Sequence, residues 1–225
     1  MKLRKVFCVV IMVVSGSGLL AAQNGRDYIK RAIQQWGQCR NVALTQQNGD
    51  VALAGRNAAA WQNVPNSLAE RLQGMANDGM YIDDVQLTED GRWLIVGDTI
   101  YWERIGSDLE NEIRRLVQHG ERIISITFND YGEWIVISDN SYSSSNTNIQ
   151  SWLRTNANKY GFLRAACVTD DCKVAVYENG FAYQGNMPKV CWDALDRTNL
   201  DIYRLKISGD SWFFADANGN YQGYM

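Results

Sequence analysis

Five cysteines and a single histidine set the limits of the side-chain chemistry open to this 225-residue chain. With only His119 there is no H-E-x-x-H pair and no histidine-rich zinc set. His119 precedes Gly120 and reads as the last residue of a helix, with a general base as the alternative. Cys8 falls in the N-terminal segment; Cys39, Cys167, Cys172 and Cys191 remain. An even number in an exported chain points to disulfides, and four cysteines allow three connectivities. Cys167 and Cys172 flank the short turn Val168-Thr169-Asp170-Asp171, where opposed strands could bring them within bridging range, which leaves Cys39 with Cys191. Metal binding is the rival reading, and C-x4-C without histidines is weak for it.

Past residue 22 there is no G-x-S-x-G, and Ser141 to Ser145 reads as a polar connection, so a serine hydrolase is unsupported. Acids gather at Asp83-Asp84, Glu89-Asp90, Asp170-Asp171 and Asp210. They read as turn formers, the alternative being a pair of carboxylates facing each other as in a glycosidase. Asp216-Ala217-Asn218-Gly219-Asn220 has oxygens at alternate positions, like a calcium loop, but lacks the distal acid. Its Asn-Gly step favours a hairpin turn. No cofactor or metal is expected. The aromatics Tyr101, Trp102, Tyr142, Tyr183 and Tyr221 fall on short third strands. There they could stack on a sugar or a peptide side chain, or pack under the following helix. They are the sequence's candidate binding residues.

What positions these groups is an internal repeat. A turn followed by a buried apolar run recurs five times, at Asn48-Gly49-Asp50-Val51, Asp90-Gly91-Arg92-Trp93, Tyr131-Gly132-Glu133-Trp134, Asp171-Cys172-Lys173-Val174 and Asp210-Ser211-Trp212. The spacing is 38 to 42 residues. A fixed period of this length means one supersecondary unit stacked until neighbours cover each other's apolar faces. In the second unit Ile82–Leu87, Trp93–Val96 and Ile100–Trp102 read as strands. Ser107 reads as the cap of a helix whose Leu109, Ile113 and Leu116 recur at helical spacing. Equivalent helix pairs are Leu68 and Leu72, Ile149 and Leu153, and Val190 and Ala194, with Pro65 and Pro188 at matching helix starts. Trp93, Trp134 and Trp212 read as one core site, filled by Val51 and Val174 in the other units. The unit is strand-strand-strand-helix. The fifth unit lacks its helix, while Asp27 to Gln38 forms a helix with no unit of its own. The expected fold is therefore an α+β closed toroid of five units, with the N-terminal helix completing the C-terminal unit. An open solenoid is the alternative.

Residues 1–22 carry the three parts of a secretory signal: basic Lys2, Arg4 and Lys5, the apolar run Val6 to Val14, and Leu20-Ala21-Ala22 as the cleavage site. Ser15 to Gly18 interrupt the run short of the roughly 20 apolar residues a membrane span needs. Residues 23–225 are expected to form one domain, exported to the periplasm, the cell surface or the medium, with no stable span after cleavage. The whole chain has 22 basic and 25 acidic residues. Loss of the three basic signal residues leaves about −6 and no basic cluster, which argues against a nucleic-acid partner.

Five units of three strands and a helix in about 200 residues resemble the pentein-type α/β-propeller, shared by arginine deiminases, amidinotransferases and a ribosome anti-association factor. The G-x-W phrase is also similar to repeats of uncharacterised exported bacterial proteins. An ordinary five-bladed β-propeller is the competing fold, but it wants four strands per blade. The resemblance implies that an enzyme of this class would use a Cys nucleophile, a His and acids facing the central channel. Here the cysteines are assigned to disulfides and His119 to a helix end. The functional expectation is a non-enzymatic exported binding or interaction protein with a glycan, peptide or protein ligand. A degenerate pentein-like or carboxylate-based hydrolase is the alternative.

Overall fold

The computed structural model describes residues 26–47 and 49–225. The expected signal, 1–22, and Asn48 of the first turn lie outside the described residues. Helix α1 (Asp27–Trp36) comes first and ends at Gly37, whose φ of 67° is the left-handed cap that only glycine adopts freely. Five units follow. The first is β1 (Asn41–Leu44), β2 (Asp50–Ala54), β3 (Ala58–Gln62) and α2 (Asn66–Asn77). The second is β4 (Ile82–Leu87), β5 (Trp93–Gly97), β6 (Tyr101–Glu103) and α3 (Ser107–Gln118). The third is β7 (Ile123–Phe128), β8 (Trp134–Ser138), β9 (Tyr142–Ser144) and α4 (Thr147–Tyr160). The fourth is β10 (Leu163–Val168), β11 (Cys172–Tyr177), β12 (Gly180–Gly185) and α5 (Lys189–Arg197). The last holds β13 (Arg204–Ser208), β14 (Ser211–Ala215) and β15 (Tyr221–Tyr224). Each unit is a three-stranded antiparallel sheet in chain order.

Middle strands β2 and β8 are buried at every position and, apart from Asp50 and Ser138 at their ends, are wholly apolar. Their sheets have helices on both faces. Each helix is a wedge between its own sheet and the next. Leu68, Leu72 and Met75 of α2 pack on Ala43, Val51 and Leu53 of one sheet and on Val85, Leu87 and Trp93 of the following one. Helices α3, α4 and α5 do the same for the next three gaps. Helix α1 fills the fifth: Ile29 and Ile33 share a cluster with Val42, Leu44 and Ala52 of the first sheet and with Phe213 and Ala215 of the last. First strands lie against one another in the order β1, β4, β7, β10, β13, and β13 lies against β1.

Alternation along a strand makes register unforgiving, and two assignments shift by one residue. Trp93, Trp134 and Trp212 face the preceding helix, opposite Leu87, Phe128 and Ile207. The residues in that register in the other units are Asp50, opposite Leu44, and Lys173, opposite Val168. Val51 and Val174 therefore face their own helix and do not share the tryptophan site. In α5 the inward pair is Cys191 and Leu195, while Val190 is exposed. Pro188 caps α5 as Pro65 caps α2, and counting three residues from each proline gives Leu68 and Cys191. Ser107 is the first helical residue, and Gly106 occupies the cap of α3.

The four described cysteines are buried thiols, none in a disulfide. Cys39 lies in the cluster beneath α1, whereas Cys191 lies with Cys167 and Cys172 beneath α5. The expected Cys39–Cys191 bridge is thus not made, because the two belong to different wedges. Cys167 is opposite Val174, so Cys172 is its diagonal neighbour on the same face. Diagonal Cα pairs are about 7–8 Å apart, beyond ordinary disulfide reach.

Gly185 ends β12 opposite Cys172 with φ of 82°, and a Cβ there would lie 2.2 Å from the Asp171 carbonyl oxygen. Gly185→Ala is expected to cost about 2 kcal/mol or more through strain and overlap, checked by urea denaturation.

Candidate binding site on the five-turn face

The first strand of every unit ends on the same face, in the turn that leads to its second strand. There one apolar residue per unit, Leu44, Leu87, Phe128, Val168 and Ile207, lines a hollow of about 70 Å³. Above them each turn adds a residue: Gln46, Glu89, Asp130, Asp170 and Gly209. Asp171 joins the lining, which holds four carboxylates and neither lysine nor arginine. A water occupies about 30 Å³ of liquid, so the space suits a few waters or the head of one side chain. Pockets that enclose a drug-sized ligand run to about 300–1,000 Å³.

The turn acids reach from unit to unit. Glu89 accepts from the backbone N–H groups of Gln46 and Gln47. Asp130 pairs with Arg92 at 2.8 Å, and the Asp130 N–H donates to Asp170 at 3.2 Å. Asp170 is pushed above the usual carboxylate range by burial, and by repulsion from Asp130 and Asp171, against a backbone hydrogen bond from Asp130 and the nearby Arg92 cation. Beside Asp130, Tyr131 is 78% exposed, the most open large side chain among the exposed apolar and aromatic residues. Sequence reading took Glu89, Asp170 and Asp171 as turn formers, and it passed over Asp130 and Tyr131 because turn positions carry no periodicity.

Beneath this rim the first strands meet through polar side chains. Asp84 accepts from Lys206 Nζ at 2.7 Å, Asn41 at 2.6 Å and Ser125 at 2.8 Å, tying units five, one and three to unit two. Asp83 accepts from Arg204 at 2.7 Å, Tyr81 at 3.0 Å and Arg40 at 3.4 Å. Asp83 and Asp84 are therefore strand residues that bind other units, not turn formers. A register shift between Ile82 and Asp84 turns the two carboxylates to different partners. Burial pushes the Asp84 carboxyl up, but Lys206, Arg204 and the hydrogen bonds from Lys206 and Ser125 outweigh it and hold it below its ordinary value.

The third-strand aromatics are not brought together. Tyr101 packs under α2, with Arg71 4.1 Å from its ring centre, and Trp102 under α3 with Arg114 at 5.5 Å. Tyr142 packs under α4, and Tyr221 stacks on Phe213 at 5.7 Å beneath α1. Tyr183 alone of the five is half exposed. His119 closes α3, exposed and outside the lining of the hollow. Ser138 and Ser141 donate to Glu121, a local polar link. The Asp216 carboxylate is taken up by N–H groups of Asn218 and Asn220. Among the described residues no group of three or more His, Cys, Asp or Glu is arranged to hold a metal, and no helix is long and apolar enough to cross a membrane.

Comparison with known protein families and with curated proteins found no match to this chain.

Proposed function

We propose that the five units close into a ring of the pentein-type α/β-propeller class, and that the exported protein is a non-enzymatic binding protein. Its ligand is a peptide or protein that presents a basic side chain to the five-turn face. Ring closure is supported by the circuit of first-strand contacts that returns from β13 to β1, and by α1 in the fifth wedge. One observation carries the binding reading: residues from all five units converge on a hollow with four carboxylates in its lining, of which, among the described residues, only Asp130 is already paired with a cation, Arg92. Low-dielectric walls around charges of one sign concentrate the field and draw in opposite charge. The hollow suits an ammonium or guanidinium head, and its carboxylates favour a cation over a neutral sugar, which ranks a peptide above a glycan.

The test is calorimetric titration with lysine- and arginine-containing peptides, neutral peptides of the same length, and soluble glycans. Binding of the basic peptides, weakened about tenfold by Asp170→Asn together with Asp171→Asn and by raising salt, is the expected result. Equal binding of neutral peptides, or binding of glycans alone, overturns it. A carboxylate-based hydrolase is the second reading, favoured by the raised carboxyl of Asp170 beside Asp130. Turnover of a chromogenic glycoside or amide, lost in Asp170→Asn, would establish it instead.

A further inference from the structure

We infer that Cys172 and Cys191 form a disulfide during oxidative folding, fastening α5 to its own sheet and leaving Cys39 and Cys167 as thiols. Three thiols share one apolar wedge: Cys167 and Cys172 from the sheet, and Cys191 from the helix laid on it. Cys39 is excluded by its place in another wedge. The Cys167–Cys172 pair is excluded by register, since diagonal neighbours stand too far apart. Cys191 is then the partner of one strand cysteine, and chain connectivity selects Cys172. Gly185 is paired opposite Cys172, the Asn186 N–H donates to the Asp171 carbonyl oxygen, and Cys191 follows only five residues after Asn186. The backbone at Gly185 approaches the Cys172 Cα so closely that a Cβ would lie 3.1 Å from it. The start of α5 is thereby held at the Cys172 end of the wedge, whereas Cys167 is one layer deeper in the sheet.

The chemistry is thiol–disulfide exchange with a disulfide oxidant, a thiol oxidoreductase or oxidised glutathione. The Cys172 thiolate attacks the oxidant, forming a mixed disulfide and releasing one thiol. The Cys191 thiolate then displaces the second, so two protons leave the protein and the electron pair ends on the reduced oxidant. Burial pushes the Cys191 thiol up to about 12 and raises that of Cys172 as well, so few thiolates exist in the folded wedge. Exchange belongs to the stage before α5 docks.

The experiment starts from the chain beginning at residue 23, which lacks Cys8, reduced and denatured, and refolds it in oxidised and reduced glutathione. Free thiols are then alkylated under denaturing conditions and the peptides mapped by mass. A Cys172–Cys191 cross-linked peptide with Cys39 and Cys167 alkylated is the expected outcome. A bridge that includes Cys39 or Cys167, or alkylation of all four, overturns the inference. Cys191→Ser should fold and lose the cross-link, and Cys39→Ser should keep it. Reduction should lower the thermal midpoint of the parent by several degrees and leave that of Cys191→Ser unmoved; equal shifts in both also overturn it. As a second arm, protein folded in reductant and then exposed to oxidised glutathione should cross-link at least tenfold more slowly than the refolding chain.

Discussion

Lys206→Met is expected to lower the unfolding free energy by about 3–5 kcal/mol, because it strands the Asp84 carboxylate in the interior without its cation. Both side chains are essentially buried, at 6% and 1% exposure, so solvent does not screen the loss. The double variant Asp84→Asn/Lys206→Met should cost distinctly less than the single, since no uncompensated charge remains. The pH dependence separates this from simple loss of packing. In the parent the Asp84 carboxyl is held below its ordinary 3.8, so its contribution is complete above that value and fades as pH falls through the folded one. In Lys206→Met burial is opposed only by Arg204 and the remaining hydrogen bonds, so the carboxyl rises from its value in the parent and protonation relieves the penalty. Urea denaturation should therefore show the deficit of the variant shrinking between pH 7 and pH 4. A deficit that is constant over that range would count against the pairing.

Ile33→Ala is the second large effect, about 2–5 kcal/mol for a fully packed aliphatic side chain. The informative readout is where the damage appears. Ile33 shares its cluster with Val42 and Ala52 of the first sheet and with Phe213 and Ala215 of the last. Hydrogen exchange should therefore rise in β14 as well as in β2, although β14 is some 180 residues away along the chain. Faster exchange confined to β2 would mean that α1 serves only the first sheet.

The unit and its repeat number were legible because each strand and helix carries its own periodicity, and five copies reinforce one another. The helix without a unit was legible by subtraction. What stayed hidden depends on register. A bulge at Ile82–Asp84 decides that one aspartate meets Lys206 while its neighbour meets Arg204, and no composition signal marks it. Arg204 and Lys206 alternate with Leu205 and Ile207, a pattern that fits a strand with one solvated face; here the charged face is buried against other units. The aromatics of the third strands looked like a common platform only while their wedges were unknown. Each wedge takes its own, and the rim is built instead from turn residues whose local chemistry already had a sufficient explanation.

The wedge filled by α1 also sets an order of events in folding. Four of the five wedges join units adjacent in sequence, and each can consolidate as soon as its own stretch of chain exists. The fifth must wait for Phe213 to meet Ile29 and Ile33. Closing a loop of about 180 rather than 40 residues adds only about 1.3 kcal/mol of entropy, less than the burial of one of those side chains contributes. The barrier lies in time rather than free energy: a chain with four wedges formed and the last one empty exposes two apolar sheet faces at once. That intermediate, more than the finished molecule, is the species that a chaperone or an aggregate would meet.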